Sequence, residues 1–243
     1  MKKKIAILGS TGSIGTTLID ILSKDKKNFE VIFLSAEKNY KKLYKQAKLL
    51  NVKNLIITNK KAFFLLLKLN RSKKIKIYNN FESLKKIISF KVDYCMCAIS
   101  GLSGLRPTYE MVKYSKVLAI ANKESIICGW NLIEKEIKKN KTKFIPVDSE
   151  HFSIWYGLNN IKNKKINSIY LTASGGPLFN VPLKNFRNIK ISQALKHPNW
   201  KMGKKISIDS STMMNKVFEV IEARNIFNIP YNKIKILIHE KSY

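Results

Sequence analysis

The sequence predicts an α/β protein with an N-terminal doubly wound parallel sheet, followed by an α+β second domain. Three observations support this prediction. A glycine loop follows the first apolar run, further apolar runs alternate with amphipathic helical segments, and the alternation weakens after about residue 147. We therefore place a domain boundary near residue 146, which gives domains of residues 1–146 and 147–243.

The first element is a short apolar strand, residues 4–8, that leads into Gly9-Ser10-Thr11-Gly12-Ser13-Ile14-Gly15 and then a helical pattern. Glycines at this spacing let the backbone turn tightly and approach a pyrophosphate, and the N–H groups at the helix start face the anion. The spacing differs from the commoner G-x-G-x-x-G, so a plain tight turn is the alternative. The position between a strand and a helix favours the phosphate loop.

Similar apolar runs complete the predicted sheet. Lysine-rich segments of helical length separate them, as expected for βαβ units. The runs lie at residues 31–34, 55–57, 75–78, 94–98 and 117–121. The second domain has a further run at 166–171 and a predicted helix at about 211–226.

The composition indicates a globular protein without a dedicated nucleic-acid surface. The formal charge is +30, but it comes from 42 Lys against four Arg that are scattered over predicted helices. A specific nucleic-acid binder concentrates charge on one face and uses Arg for bidentate contacts. No apolar stretch approaches the roughly 20 residues that span a bilayer, so we expect a cytoplasmic protein without membrane association.

The three cysteines, Cys95, Cys97 and Cys128, match neither a metal motif nor a disulfide framework. We expect reduced core residues. All three precede residue 146, which argues against an oxidoreductase that needs a nucleophilic cysteine in its second domain.

The loop after the second apolar run bears on the choice of dinucleotide. A carboxylate such as Glu37 suits the free ribose hydroxyl of NAD, and a cation such as Lys38 suits the 2′-phosphate of NADP. The two residues point to opposite cofactors, and the residues by themselves tilt the choice only slightly toward NADP.

Three carboxylates outline a divalent-metal site. Asp148 and Glu150 follow the run 143–147, and residues i and i+2 of an extended segment point to the same side. They are predicted to converge on one cation, with Glu219 from the helix completing the oxygen ligands that Mg²⁺ or Mn²⁺ prefers. On this segment alone, the alternative to a metal site is that the carboxylates are solvated or cap a helix.

Other candidates lie in loops and on the second-domain helix. Lys123 follows the run 117–121 at the end where ligands bind in open sheets, although a solvated lysine is the alternative. The flexible glycines after Ser174 indicate an anion-binding turn. An ordinary Gly-Pro turn is the alternative. Trp200 and Met202 lie in a loop bounded by Pro and Gly, which is typical of a lid or a buried anchor.

Taken together, the segments GSTGSIG, ANKES, PVDSEH, ASGGP and HPNWKMGKKISIDSSTMMNKVFEVIEA, in this order, resemble one family closely. It is the 1-deoxy-D-xylulose 5-phosphate reductoisomerases, bacterial cytoplasmic enzymes of non-mevalonate isoprenoid biosynthesis. The resemblance runs from residue 4 to the end. It implies a Rossmann-like NADPH-binding domain, a catalytic domain and, in whole family members, a C-terminal helical domain that this sequence lacks.

The resemblance also implies a role for individual residues. It implies a metal site for Mg²⁺, Mn²⁺ or Co²⁺ at Asp148, Glu150 and Glu219. NADPH would be bound by Thr11, Gly12, Ser13, Ile14, Lys38, Asn39, Asn122, Glu124 and Gly203. The sugar phosphate substrate would be bound by Lys123, Ser149, Glu150, Ser174, His197, Ser210, Asn215, Lys216 and Glu219, with Lys123 and Glu150 catalytic and Trp200 and Met202 in a flap.

The implied reaction is rearrangement and reduction of 1-deoxy-D-xylulose 5-phosphate to 2-C-methyl-D-erythritol 4-phosphate. Two departures stand against it: Glu37 replaces the usual glycine, and the chain ends at His239-Glu240-Lys241-Ser242-Tyr243, where the family continues through a His-Pro-Gln-Ser motif. The family forms homodimers, and the missing segment leaves that interface in question. The alternative function is an inactive remnant that retains cofactor binding.

Overall fold

The computed structural model describes residues 1–159, 161, 166–196 and 203–239. The chain forms two compact units, Met1–Val147 and Asp148–Tyr243. Unit 1 contains a seven-stranded parallel sheet, and unit 2 contains a two-stranded parallel sheet. The predicted α/β class with a parallel N-terminal sheet is confirmed.

The strands of unit 1 follow the predicted apolar runs closely. They are β1 (Lys3–Leu8), β2 (Phe29–Ala36), β3 (Asn54–Ile57), β4 (Lys76–Tyr78), β5 (Val92–Cys97), β6 (Ser115–Ile120) and β7 (Lys143–Pro146). The helices between them are α1 (Ser13–Lys24), α2 (Tyr40–Leu49), α3 (Lys60–Leu69), α4 (Leu84–Ile87), α5 (Leu105–Val112) and α6 (Lys123–Asn140).

The sheet order β4-β3-β2-β1-β5-β6-β7 reverses direction at β1, which pairs with β2 on one side and β5 on the other. In open parallel sheets such a reversal leaves a crevice at the carboxyl ends of the strands, where ligands bind. The glycine loop follows β1 directly, so the fold places it at this crevice.

The core of unit 1 covers both faces of the sheet, which explains why the strands read as continuous apolar runs. Ile7 and Leu34 are fully buried in neighbouring strands. On α1 the buried positions Gly15, Ile19 and Leu22 recur at helical spacing, so one face of the helix packs on the sheet. Each large aliphatic side chain buried in this way contributes roughly 2 kcal/mol.

Unit 2 combines helices with a small sheet. Its elements are α7 (Ser149–Asn159), β8 (Ile169–Ala173), α8 (Ile191–Ala194), α9 (Lys204–Ser211), α10 (Met214–Phe227) and β9 (Ile234–Ile238). Strands β8 and β9 pair in parallel, and Leu171 and Ala223 are fully buried in the small apolar core beside them. Within the described segments, no helix is long and apolar enough to cross a membrane.

Two local predictions are wrong. The predicted helix at 211–226 is interrupted, because Met213 has a left-handed backbone (φ +61°) and separates α9 from α10. The motif around Ser210 therefore ends one helix instead of starting the next. Cys128 is exposed on α6, whereas Cys95 and Cys97 are buried as predicted, with their sulfur atoms 3.9 Å apart.

Candidate active site

The phosphate loop forms one wall of a cavity of about 1200 Å³ in unit 1, which Gly9, Thr11 and Gly12 line. Gly9 has φ +78°, and a Cβ atom there would lie 2.6 Å from the carbonyl oxygen of Ala98. A Cβ atom on Gly15 would clash with the carbonyl oxygen of Gly9. These two positions require glycine, because the loop backbone packs directly against β5 and against the first turn of α1.

Two buried polar residues, Ser10 and Gln46, hold the loop in place through hydrogen bonds. The Ser10 hydroxyl donates to Gln46 Oε1 at 2.8 Å, and Gln46 Nε2 donates to the carbonyl oxygen of Ser10 at 2.9 Å. Lys42 Nζ donates to the Thr11 carbonyl oxygen at 3.2 Å. Of the other predicted loop ligands, Ser13 and Ile14 form the first residues of α1, where backbone N–H groups lack helical acceptors.

The predicted ribose-end residues follow β2. Glu37 lines the cavity and forms an exposed ion pair with Lys38, at 3.0 Å between Oε1 and Nζ. Asn39 caps α2, because its side chain accepts a hydrogen bond from the N–H of Lys42 at 3.1 Å. The lysine proposed for a 2′-phosphate is therefore already paired with a carboxylate.

Asn122 fixes the turn between β6 and α6. Its Oδ1 accepts from Ser125 N at 2.6 Å, and its Nδ2 donates to the carbonyl oxygens of Ile99 and Gly101. The side chain is 3% exposed and caps the helix, so it positions Lys123 and Glu124 as the first two residues of α6. Its direct contact with a cofactor stays a prediction.

The three predicted metal ligands do converge. Carboxylate oxygens of Asp148, Glu150 and Glu219 lie within 4.8 Å of one another. The predicted reason for this convergence is wrong in part: β7 ends at Pro146, and Ser149 already begins α7. Asp148 and Glu150 meet because the chain turns into a helix there, not because they alternate along a strand.

Lys216 lies among these carboxylates. Its Nζ is 3.3 Å from Glu150 Oε1, contacts Glu219 Oε2 and donates to the carbonyl oxygen of Thr172. The residue is only 5% exposed. In this arrangement its ammonium group compensates the acidic cluster, while its predicted contact with a substrate phosphate stays untested.

The carboxyl group of Glu150 is kept ionised by its neighbours. Burial by itself raises its pKa, but a hydrogen bond from the Ser149 hydroxyl (2.6 Å) and the charge of Lys216 lower it. The net effect holds the pKa of Glu150 below its ordinary value. At neutral pH Glu150 therefore offers carboxylate oxygens, the ligand type that Mg²⁺ and Mn²⁺ prefer.

Sequence reasoning missed two residues beside the cluster. His151 is fully buried, and Glu222 is 1% exposed. A ligand atom of each lies within 4.8 Å of the other and of Asp148. His151 Nε2 is 2.9 Å from the carbonyl oxygen of Glu219, so this nitrogen carries the proton and donates. The spacings Asp148 to His151 and Glu219 to Glu222, each three residues, were the available sequence signal.

A second cavity, of about 840 Å³, opens beside the cluster in unit 2. Besides the three carboxylates, its walls include the predicted substrate ligands Ser149, Ser174, Ser210, Asn215 and Lys216. Gly176 has φ +76°, and a Cβ atom on it would clash with the Ser210 carbonyl oxygen. Gly176 therefore serves a close approach between this loop and the end of α9.

Asn215 joins the cavity wall to the cluster. Its Nδ2 donates to Glu219 Oε1, whereas its buried Oδ1 has no hydrogen-bond partner in the described part of the chain. An amide oxygen only accepts hydrogen bonds, so any partner of this atom has to be a donor.

The remaining predicted residues fall partly outside the described structure. His197, Trp200 and Met202 lie in the segment 197–202, which is outside the described residues. Gly203 is described and precedes α9 with an extended backbone (φ −64°, ψ 152°).

Comparison with known proteins identifies the family. A family model described as 1-deoxy-D-xylulose 5-phosphate reductoisomerase matches residues 5–129, and a second, described as the C-terminal domain of that enzyme, matches residues 144–227. This chain belongs to the 1-deoxy-D-xylulose 5-phosphate reductoisomerase family. The resemblance inferred from the motifs is confirmed.

Relatives and solved structures carry the same family name. The reductoisomerase of Pelagibacter ubique is 61% identical over 99% of this chain and 63% of its own length. The reductoisomerase of the Wolbachia of Brugia malayi is 44% identical over 99% of this chain and 62% of its own length. The Zymomonas mobilis reductoisomerase in complex with NADPH has a TM-score of 0.87 at 33% identity, and the match covers 100% of this chain and 62% of that one.

A further reductoisomerase, solved with NADPH, fosmidomycin and magnesium, has a TM-score of 0.89 at 31% identity, covering 99% of this chain and 62% of its own. The chain thus spans a little over three fifths of the length of these relatives.

Proposed function

We propose that this chain catalyses the NADPH- and divalent-metal-dependent conversion of 1-deoxy-D-xylulose 5-phosphate to 2-C-methyl-D-erythritol 4-phosphate, a step of non-mevalonate isoprenoid biosynthesis. The observation that carries the proposal is the convergence of Asp148, Glu150 and Glu219 within 4.8 Å beside a cavity lined by hydroxyl and amide groups. Unit 1 then serves as the NADPH-binding domain, and unit 2 as the catalytic, metal- and substrate-binding domain.

The phosphate loop fits the pyrophosphate of NADPH. Its glycines let the backbone approach an anion, and the N–H groups at the start of α1 point outward from the helix. Thr11, Gly12, Ser13 and Ile14 would hold the pyrophosphate, and Lys38 and Asn39 the 2′-phosphate. Asn122, Glu124 and Gly203 would complete the cofactor site. Two solved relatives, which contain NADPH, support the assignment.

The carboxylate cluster fits Mg²⁺ or Mn²⁺, with Co²⁺ as a further candidate. Three carboxylates supply only oxygen ligands, which match these hard cations, and two solved relatives contain magnesium. We infer that Lys216 withdraws from Glu150 and Glu219 when the metal binds, because the divalent cation repels the ammonium group and competes with it for the same carboxylates. Its freed ammonium group would then bind the substrate phosphate.

Once bound, the metal polarises the ketone and hydroxyl oxygens of the substrate, and NADPH supplies the hydride that reduces the rearranged aldehyde. Lys123, Ser149 and Glu150 contact the reacting end. Glu150, ionised at neutral pH, accepts the proton of a substrate hydroxyl, and Lys123 donates to the developing oxyanion.

The other end of the substrate would be held by polar side chains along the cavity. Ser174, Ser210 and Lys216 donate hydrogen bonds to the phosphate, and His197 joins them in this proposal. Asn215, whose Nδ2 donates to Glu219 Oε1 in this structure, would also contact the phosphate end. Trp200 and Met202 would close over the site and exclude water. A cytoplasmic location stays a prediction.

The test is the fall in NADPH absorbance when the purified chain meets 1-deoxy-D-xylulose 5-phosphate and Mn²⁺, with and without a chelator. Oxidation that depends on the metal supports the proposal. Its absence in a folded chain that still binds NADPH would reject the activity and leave cofactor binding as the function.

A further inference from the structure

The loop after β2 presents a carboxylate, not a cation, to the cavity that holds the phosphate loop. Ser35 and Ala36 at the end of β2 and Glu37 in the loop line this cavity, whereas Lys38 and Asn39 do not. Glu37 lies about 20 residues beyond the glycine loop, at the carboxyl end of the neighbouring strand. In dinucleotide-binding sheets, an acidic residue there binds the ribose hydroxyls of NAD.

The backbone at Glu37 is fixed in place. Its carbonyl oxygen accepts from Asn59 N at 3.0 Å, the Ala36 carbonyl oxygen accepts from Thr58 N at 3.2 Å, and the Lys38 carbonyl oxygen accepts from Tyr40 N at 2.8 Å. The loop is therefore tied both to the end of β3 and to the start of α2. The backbone therefore holds Glu37 at the wall of the cavity.

The charges at this loop oppose a 2′-phosphate. Glu37 Oε1 lies 3.0 Å from Lys38 Nζ, so the cation that would attract the phosphate is already compensated. Both side chains are about two-thirds exposed, so the pair is weak and Glu37 can exchange Lys38 for a ribose diol. A phosphate placed there would meet the carboxylate and lose affinity by like-charge repulsion.

We infer that Glu37 is a specificity-determining residue that lets this chain bind NADH as well as NADPH. The inference rests on the proposed function, because it concerns the dinucleotide site of the same enzyme. Glu37 accepts hydrogen bonds from the 2′- and 3′-hydroxyl groups of NADH. When NADPH binds, Lys38 contacts the 2′-phosphate and its ion pair with Glu37 breaks.

The experiment measures the dissociation constants of NADPH and NADH by titration calorimetry on the folded full chain, without substrate or metal. For the wild type we expect the two constants to agree within about tenfold. Glu37→Gln removes the charge and should tighten NADPH about fivefold. Glu37→Ala also removes the acceptors and should weaken NADH about tenfold. Lys38→Gln should weaken NADPH and leave NADH unchanged.

The control Glu134→Gln removes a carboxylate from an exposed Lys–Glu pair outside the cavity and should change neither constant. Wild-type NADH binding more than 100-fold weaker than NADPH binding would overturn the inference alone, as would equal effects of Glu37→Gln and Glu134→Gln. Failure of a folded chain to bind either dinucleotide would overturn the inference and the proposed function together.

Discussion

Lys216 and Glu219, three residues apart on α10, form an ion pair inside unit 2, with 6% and 1% of their side chains exposed. Glu150 shares the same ammonium group at 3.3 Å. One lysine thus compensates two carboxylates that are proposed metal ligands. Because an uncompensated buried charge costs several kcal/mol, the cluster needs a cation, and this cation can be the ammonium group or a divalent metal.

Replacing Lys216 should separate stability from metal affinity. In chelator, Lys216→Gln should lose about 3 kcal/mol of unfolding free energy, because Glu150 and Glu219 lose their cation. The same variant should bind Mn²⁺ about fivefold more tightly, since the metal no longer competes with an ammonium group. Urea unfolding with and without Mn²⁺, together with calorimetric titration of Mn²⁺, measures both effects.

The matched control for this experiment is Lys205→Gln, which removes a lysine paired with Asp209 at 2.9 Å on an exposed face of α9. An exposed pair contributes roughly 0–1 kcal/mol, so its loss should change stability little and Mn²⁺ affinity less than the Lys216 change. Equal behaviour of the two variants would contradict the role given to Lys216.

Glu150→Gln should abolish turnover and leave NADPH binding nearly intact. The amide keeps the size of the side chain but removes the charge that the metal and the proton transfer require. NADPH oxidation assays and NADPH titration measure the two properties separately. Turnover equal to that of the wild type would reject the proposed metal and acid–base role.

Gly15→Ala should destabilise the chain and weaken NADPH binding by at least tenfold, because the new methyl group would clash with the carbonyl oxygen of Gly9 in the phosphate loop. The control is Gly157→Ala on α7, where no described residue beyond the neighbouring helix backbone has a heavy atom within 4 Å of an added Cβ. That change should stabilise the chain by about 0.5–1 kcal/mol through helix propensity. Thermal unfolding distinguishes the two outcomes.

Asp93 should make the stability of unit 1 depend on pH in the acid range. Its carboxylate accepts from Lys116 Nζ and from the N–H of Lys4, each at 2.8 Å, and these bonds lower its pKa below the usual value of 3.8. A depressed pKa stabilises the folded state above the unfolded pKa, and this stabilisation is lost as the pH falls through the folded pKa.

Asp93→Asn should therefore be less stable than the wild type at pH 7, and the difference should shrink as the pH falls from about 5 to about 2. Denaturation midpoints across this range provide the measurement. Asp20→Asn, on the exposed face of α1, is the comparison variant. A difference between wild type and Asp93→Asn that is independent of pH would contradict the assignment.

Much of the fold could be predicted because the signals are local. The apolar run at 4–8 lies within β1, and the run at 117–121 overlaps β6. Both were visible because strands that are covered on both faces have an uninterrupted apolar pattern. The break at Met213 escaped prediction, because the residues around it continue a helical pattern. A left-handed residue that is not glycine leaves no clear sequence signal.

In the candidate site, too, the features with a local sequence signal could be predicted and the others could not. Sequence spacing placed Asn215, Lys216 and Glu219 on neighbouring positions of one helix, and their mutual contacts follow from that geometry. The burial of His151 and Glu222 beside Asp148 does not follow from their spacing alone, because it depends on how α7 and α10 pack.

The sequence by itself determined the parallel N-terminal sheet, the glycine loop after its first strand and the family, because each depends on short ordered segments. Only the tertiary structure decided that Lys216 compensates the carboxylates and that Glu37, instead of Lys38, lines the cavity beside the glycine loop. The physical reason is that charge compensation and exposure depend on distances between residues far apart in the chain, such as the 3.3 Å between Lys216 and Glu150.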